Sequence, residues 1–133
     1  MKGEMRKPTR TTLRRKLDKE VSRITRARGR CAKCHKSEYE LLQTAHIFSR
    51  KNLSVRWDLL NVLCLCAGCH FWAHQNPTLF TEFLRDFLGE YNYAQLKLRA
   101  TAIKKWSVED MQELLDTLNH NESKKEVYQE LFK

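Results

Sequence analysis

NVLCLCAGCHFWAHQNP, residues 61–77, sets the thiol pair Cys66 and Cys69 directly before two histidines, His70 and His74. Upstream, Cys31-Ala-Lys-Cys34 repeats the C-x-x-C spacing. Four thiolates in two such pairs close a tetrahedral zinc site that builds structure rather than doing chemistry. His70 and His74 stand at i and i+4, which on a helix puts both imidazoles on one face, one turn apart. Two imidazoles so placed can hold one divalent ion from the same side and leave its other positions open. Two metal sites of different kinds are therefore expected. One is a closed zinc site at Cys31, Cys34, Cys66 and Cys69; the other is an open, chemical site at His70 and His74.

The segments around this stretch read as α+β, mostly helical. Residues 39–50, YELLQTAHIFSR, form a short apolar strand that delivers His46 near its end, and a hairpin-like loop runs from Lys51 to Asp58. Asn61 opens the second half, Val62 to Leu65 continue as a strand or turn, and His70 begins a helix that must stop before Pro77. This gives a compact ββα unit. On its N-terminal side, Leu13, Leu17, Val21 and Ile24 make an amphipathic helical stripe, capped at Thr11 or Thr12 and stopped by Gly29. On its C-terminal side, Asn76 and Pro77 start a helix with an apolar face from Leu79 to Leu88, ended by Gly89. Residues 92–104 continue as helix, and Ser107-Val-Glu-Asp110 resembles a capping box before Met111, Leu114, Leu115 and Leu118. Ser123-Lys-Lys-Glu126 repeats the device. The division expected is 1–30 as basic arm and helix, 31–77 as zinc-bound core, and 78–133 as a C-terminal helical extension without visible chemistry.

The chain has 133 residues and 41% apolar composition, enough for one domain with a modest core that a metal staple would help. No apolar run approaches 18 residues and no basic-then-apolar leader is present, so neither a membrane span nor a signal peptide is expected. A cytoplasmic, reducing setting follows from thiols kept for metal, with Cys64 as a buried, inert leftover. The net charge of +9 is concentrated: residues 1–30 hold twelve Lys/Arg against three Asp/Glu, whereas the remainder holds thirteen of each. Such a block suits a polyanion, because each phosphate it neutralises releases condensed counterions; a solvated basic tail is the plainer alternative. Arg14, Arg15, Arg23 and Arg26 on the helix, with Arg50, Lys51 and Arg56 in the loop beside His46, are the candidate phosphate contacts. Lys and Arg lie around all the polar faces of the helix with no Asn or Gln placed to read base edges, which favours phosphate contacts over direct base readout.

A short four-cysteine ribbon separates its knuckles by about fifteen to twenty residues; here residues 35–65 intervene, and they contain His46 and Asn61. In the order His46, Asn61, His70, residues 31–77 resemble the zinc-containing HNH endonucleases of the ββα-metal, or His-Me finger, type. Ala45-His46-Ile47, Arg56-Trp57-Asp58, Asn61, Leu65-Cys66, Cys69-His70 and the Trp106 to Glu109 helix start look more narrowly like the phage recombination nucleases called NinG or Rap. The resemblance implies a phage-encoded DNA endonuclease in a bacterial host, acting on branched or recombination DNA. In it His46 is the general base, Asn61 the central asparagine, and His70 and His74 the ligands of a catalytic Mg²⁺ or Mn²⁺. A homodimer is left open.

The residue types suit that chemistry. Phosphodiester hydrolysis needs a water deprotonated in line with the scissile bond and a cation on the phosphate, because the barrier is mostly charge. An imidazole titrating near neutrality serves the first need, and neutral nitrogen ligands serve the second. Asn61 could either orient the loop carrying His46 or ligate the ion. One departure from the pattern is Ala45, where many HNH enzymes place an additional ligand; either the ion is held by fewer protein ligands, or Gln43, Asp58 or Asn61 substitutes. The rival from another class is a zinc-knuckle nucleic-acid-binding module without turnover. His35 is expected beside the zinc or in solvent, His120 at a helix end on the surface, and Trp57, Phe71 and Trp72 in the core around the zinc unit.

Overall fold

Strand Val62–Cys66 is buried at all five residues, and the rest of the molecule is built against it. In the computed structural model, which describes residues 6–120, it is β2, paired antiparallel with β1, Leu42–His46, in the register Leu42↔Cys66 to His46↔Val62. Helices α1 (Arg10–Arg26), α2 (Ala67–Gln75), α3 (Pro77–Leu88), α4 (Glu90–Thr101) and α5 (Val108–Asn119) complete the described elements, with single 3-10 turns at Tyr39–Leu41 and Leu59–Asn61. A strand buried on both faces reads as a continuous apolar run, and VLCLC is one. The fold is thus α+β and mostly helical.

Local chemistry moves several boundaries away from the sequence expectation. α1 starts at Arg10 because Thr9 is its N-cap, its hydroxyl accepting from the Thr12 amide at 3.1 Å; Thr11 and Thr12 lie inside the first turn. α2 starts at Ala67, ahead of His70, because the Cys66 thiol accepts the Cys69 amide as an N-cap would. Asn76 turns its Nδ2 back to the Trp72 carbonyl at 3.1 Å and does not cap α3, which is started by Pro77 alone. Gly89, with φ +83°, separates α3 from α4, a conformation that a Cβ would penalise. Ser107 and Asp110 form the expected capping box, with bonds of 3.0 and 3.1 Å. The second capping device, at Ser123, lies outside the described residues.

The C-terminal helices among the described residues pack into the core. Leu13, Leu17 and Val21 of α1 pack on Met111, Leu115 and Leu118 of α5, with Trp57 and Val62 between them. Each such buried aliphatic side chain contributes roughly 1.5–3 kcal/mol. A second buried cluster joins the hairpin to α2 and α3 through Leu42, Ala45, Leu63, Leu65, Ala73 and Leu84. A third puts Val55 and Leu60 of the interstrand loop against Leu88 and Leu96. Among the described residues no helix is long and apolar enough to cross a membrane.

Candidate functional site

The four cysteines of the two knuckles converge. Their sulfur atoms all lie within 4.8 Å of one another, and Cys34 Sγ to Cys66 Sγ is 3.6 Å. Zinc–sulfur bonds of about 2.3 Å in a tetrahedron put sulfurs roughly 3.8 Å apart, so the residues fit a zinc ion. Each knuckle turns an amide onto its own first thiol: Cys34 N to Cys31 Sγ at 3.5 Å and Cys69 N to Cys66 Sγ at 3.4 Å. Burial pushes the Cys31 thiol up, but backbone hydrogen bonds from Cys34, Cys66 and Lys33 outweigh it and bring the group to about 6. Cys69 is pushed well up by burial and by the neighbouring thiols. Four sulfurs this close cannot all ionise without a cation to compensate them, and a dication reverses the logic. His35 leaves the knuckle at φ +67° and is exposed, apart from this sulfur cluster. Cys64, buried and pushed up by its burial, is outside the cluster as expected.

Asn61 is fully buried and fixes the loop that follows His46. Its backbone carbonyl accepts from the Ile47 amide at 2.8 Å, one step beyond the last strand pair, His46↔Val62. Its side chain then takes Phe48 as a further backbone pair would: Oδ1 accepts the Phe48 amide at 2.7 Å and Nδ2 donates to the Phe48 carbonyl at 3.0 Å. Both ends of the amide are consumed, so of the two roles open for Asn61, orienting the loop is the one its geometry serves. Asn61→Ala should strand two backbone groups of Phe48, costing about 2–4 kcal/mol. Urea unfolding and faster hydrogen exchange at the Phe48 amide would register it.

His46, at the end of β1, is half-buried beside a cleft of about 690 Å³ that His70 and His74 also line. Burial first, then the Arg50 charge, lowers its pKa. The Arg56 backbone and the Asp18 charge oppose them. On α2, the His70 and His74 ring centres are 4.9 Å apart and tilted by 33°. An ion about 2.1 Å from one nitrogen of each ring would put the centres roughly 4.6–5.3 Å apart, so the pair fits a shared divalent ion. Burial and then the His74 charge lower the His70 pKa, favouring the neutral ligand form. Gln43 Oε1 lies 2.8 Å from His70 Nδ1. An amide oxygen only accepts, so Nδ1 carries the proton and Nε2 is left for a metal.

Of the three substitutes considered for the ligand missing at Ala45, Gln43 orients His70, Asn61 holds Phe48, and Asp58 caps the Leu60 amide and pairs with Arg99. Ala45 itself is buried in the cluster that contains Ala73, where two small residues let hairpin and helix approach. Phe71, expected in the core around the zinc unit, is 67% exposed, and Trp57 is buried but between α1 and α5 instead; Trp72 packs partly buried against the cysteine-bearing cluster.

The basic residues separate into two groups. Arg56 is turned inward, its Nε and Nη2 on Asp18 at 3.0 and 2.7 Å, with Trp57 Nε1 on the same carboxylate at 2.8 Å. Arg50 reaches Asp18 at 3.1 Å through one nitrogen and is itself 58% exposed. Burial pushes the Asp18 carboxyl up, but these partners outweigh it and hold it below its ordinary value. Arg26 lies over the Tyr39 ring and donates to the Leu42 carbonyl at 3.0 Å; Arg23 pairs with Glu20. Arg14 is half-buried, with its Nε lacking a hydrogen-bond partner among the described residues. Arg15 and Lys51 are exposed, and Lys51 lines the histidine cleft. Asp18 was missed in the sequence because an acid in a basic helix reads as solvated surface; its i, i+4 relation to Ser22, which meets Thr44 of β1, was the available signal.

No family model matches the chain, and no curated protein or solved structure matches it. The functional assignment therefore depends on the site itself.

Proposed function

We propose that this chain is a metal-dependent DNA endonuclease of the HNH, ββα-metal, type. The observation that carries it is the joint placement of His46, His70 and His74 on one cleft by a hairpin that runs straight into a helix, with Asn61 clamping the loop between. A divalent ion bound by His70 and His74 would supply positive charge to the phosphate and the leaving oxygen. His46, whose neutral form is favoured by burial, takes the proton of the attacking water on a ring nitrogen. Arg50 and Lys51 stand on the same cleft and attract the phosphate backbone. The zinc held by the four cysteines stays structural.

With no carboxylate among the residues lining the cleft, the two imidazoles suit Mn²⁺, Ni²⁺, Co²⁺ or Zn²⁺ better than Mg²⁺, so of the expected pair Mn²⁺ is the better fit. The missing ligand at Ala45 is also the observation that favours the rival, a zinc-knuckle DNA-binding module without turnover. Nicking of supercoiled plasmid separates them. We expect conversion to open circles with Mn²⁺, less with Mg²⁺ and none in EDTA; no conversion with any of these ions would leave the binding module. Branched, flapped and linear labelled duplexes then test the preference for branched DNA.

A further inference from the structure

His46 stands between two depressions. One is the histidine cleft; the other, of about 490 Å³, runs between β1 and α1 and is lined by Asp18, Lys19, Ser22 and Arg26. Thr44, His46 and Arg50 border both, so the second depression adjoins the position where a phosphate would meet His46.

The charge of this second groove suits a phosphate. Asp18 is its acid, and Arg56 and Trp57 already occupy that carboxylate. Arg26 is held by the Leu42 carbonyl and the Tyr39 ring. Lys19 is exposed and has no ion pair among the described residues. Arg50, bound to Asp18 through one nitrogen on a crowded carboxylate, can exchange that contact for another anion. Ser22 Oγ accepts from Thr44 Oγ1 at 3.1 Å, which leaves its own O–H free to donate.

We infer that the groove between α1 and β1 is a phosphate subsite of the DNA strand, in which Lys19, Ser22 and Arg50 hold the phosphate next to the one presented to His46. Its adjacency to a cleaved phosphate rests on the endonuclease assignment; the phosphate site itself does not. Of the α1 residues, it makes Lys19 the principal contact in place of Arg23 and Arg26, both engaged within the protein.

The test is DNA binding in EDTA by wild type, Lys19→Gln and Lys97→Gln, the last at an exposed lysine bordering neither depression. Lys19→Gln should weaken affinity roughly tenfold at about 0.1 M salt and lower the log–log salt slope by about 1, with Lys97→Gln near wild type. In a strand carrying one neutral methylphosphonate at successive positions, the position adjacent to the mapped cut should weaken wild type and leave Lys19→Gln unaffected. A Lys19→Gln variant with wild-type affinity and slope, or a methylphosphonate penalty identical in both proteins, overturns the subsite even if the chain cuts DNA. Lys19-dependent binding without cleavage under any ion would keep the phosphate site and overturn the endonuclease assignment.

Discussion

Cys31→Ser should leave the chain unfolded or aggregated and without zinc. Cys31 is fully buried among Leu42, Cys64 and Cys66, and its amide donates to the Lys36 carbonyl at 2.8 Å, closing the first knuckle. The Ala32 amide donates to the Cys64 carbonyl at 2.8 Å, so the knuckle is stitched to β2 as well. A zinc ion in the cluster would join this loop to the end of β2 and the first turn of α2, around a sheet of only two strands. A two-stranded hairpin has little stability alone. Structural zinc contributes on the order of 10 kcal/mol, as much as the whole stability of an ordinary domain. Acid should release the metal too, since the ligands bind as thiolates. Cys64→Ser is the control: Cys64 is equally buried but lies outside the sulfur cluster, so it should cost about 1–3 kcal/mol and retain one zinc per chain. Metal content by mass spectrometry and near-ultraviolet circular dichroism read both variants. A Cys31→Ser protein that is folded without zinc would refute a structural metal.

How far the sequence could be read depended on whether the signal was local. Spacing located the cysteines and the i, i+4 histidines, and the cluster and ring pair follow from it. The continuous apolar run located β2 closely, whereas the strand expected over residues 39–50 shrinks to Leu42–His46, preceded by a 3-10 turn at Tyr39–Leu41. Partners left no such pattern. The stripe Leu13, Leu17, Val21 says that α1 is buried, and the stripe Met111, Leu115, Leu118 says the same of α5, but neither says that they bury each other. Asp18, Arg56 and Trp57 meet across a long sequence separation, so their network had no local signature. Phe71 was misplaced because α2 starts at Ala67, which fixes Ala73 inward and turns Phe71 to solvent. The role of Asn61 needed both ends of its amide located, and these are visible only once the register beyond His46 is known.

His46→Ala should lower metal-dependent cleavage by a factor of roughly 100 to 10,000 while leaving the fold and the DNA affinity near wild type. The ring is half-buried, outside the three buried clusters, so its removal opens no deep cavity. The ion is assigned to His70 and His74 on another element, so the metal concentration giving half-maximal rate should stay put in His46→Ala and rise in His74→Ala. The pH profile separates a base from a bystander. Burial and the Arg50 charge place the folded pKa of His46 below its ordinary 6.5. The protonated ring cannot accept a proton from water, so the wild-type rate should fall as pH drops through a midpoint below 6.5, and His46→Ala should lack that limb. A depressed folded pKa also means that the stability contributed by the neutral ring is present above the ordinary value and is lost as pH falls through the folded one. Activity and a small loss of stability should therefore decline together on the acid side. Arg50→Gln removes a cation that disfavours the charged ring, and should move the midpoint upward. Cleavage by purified His46→Ala at rates near wild type, or a midpoint indifferent to Arg50→Gln, would exclude His46 as the base.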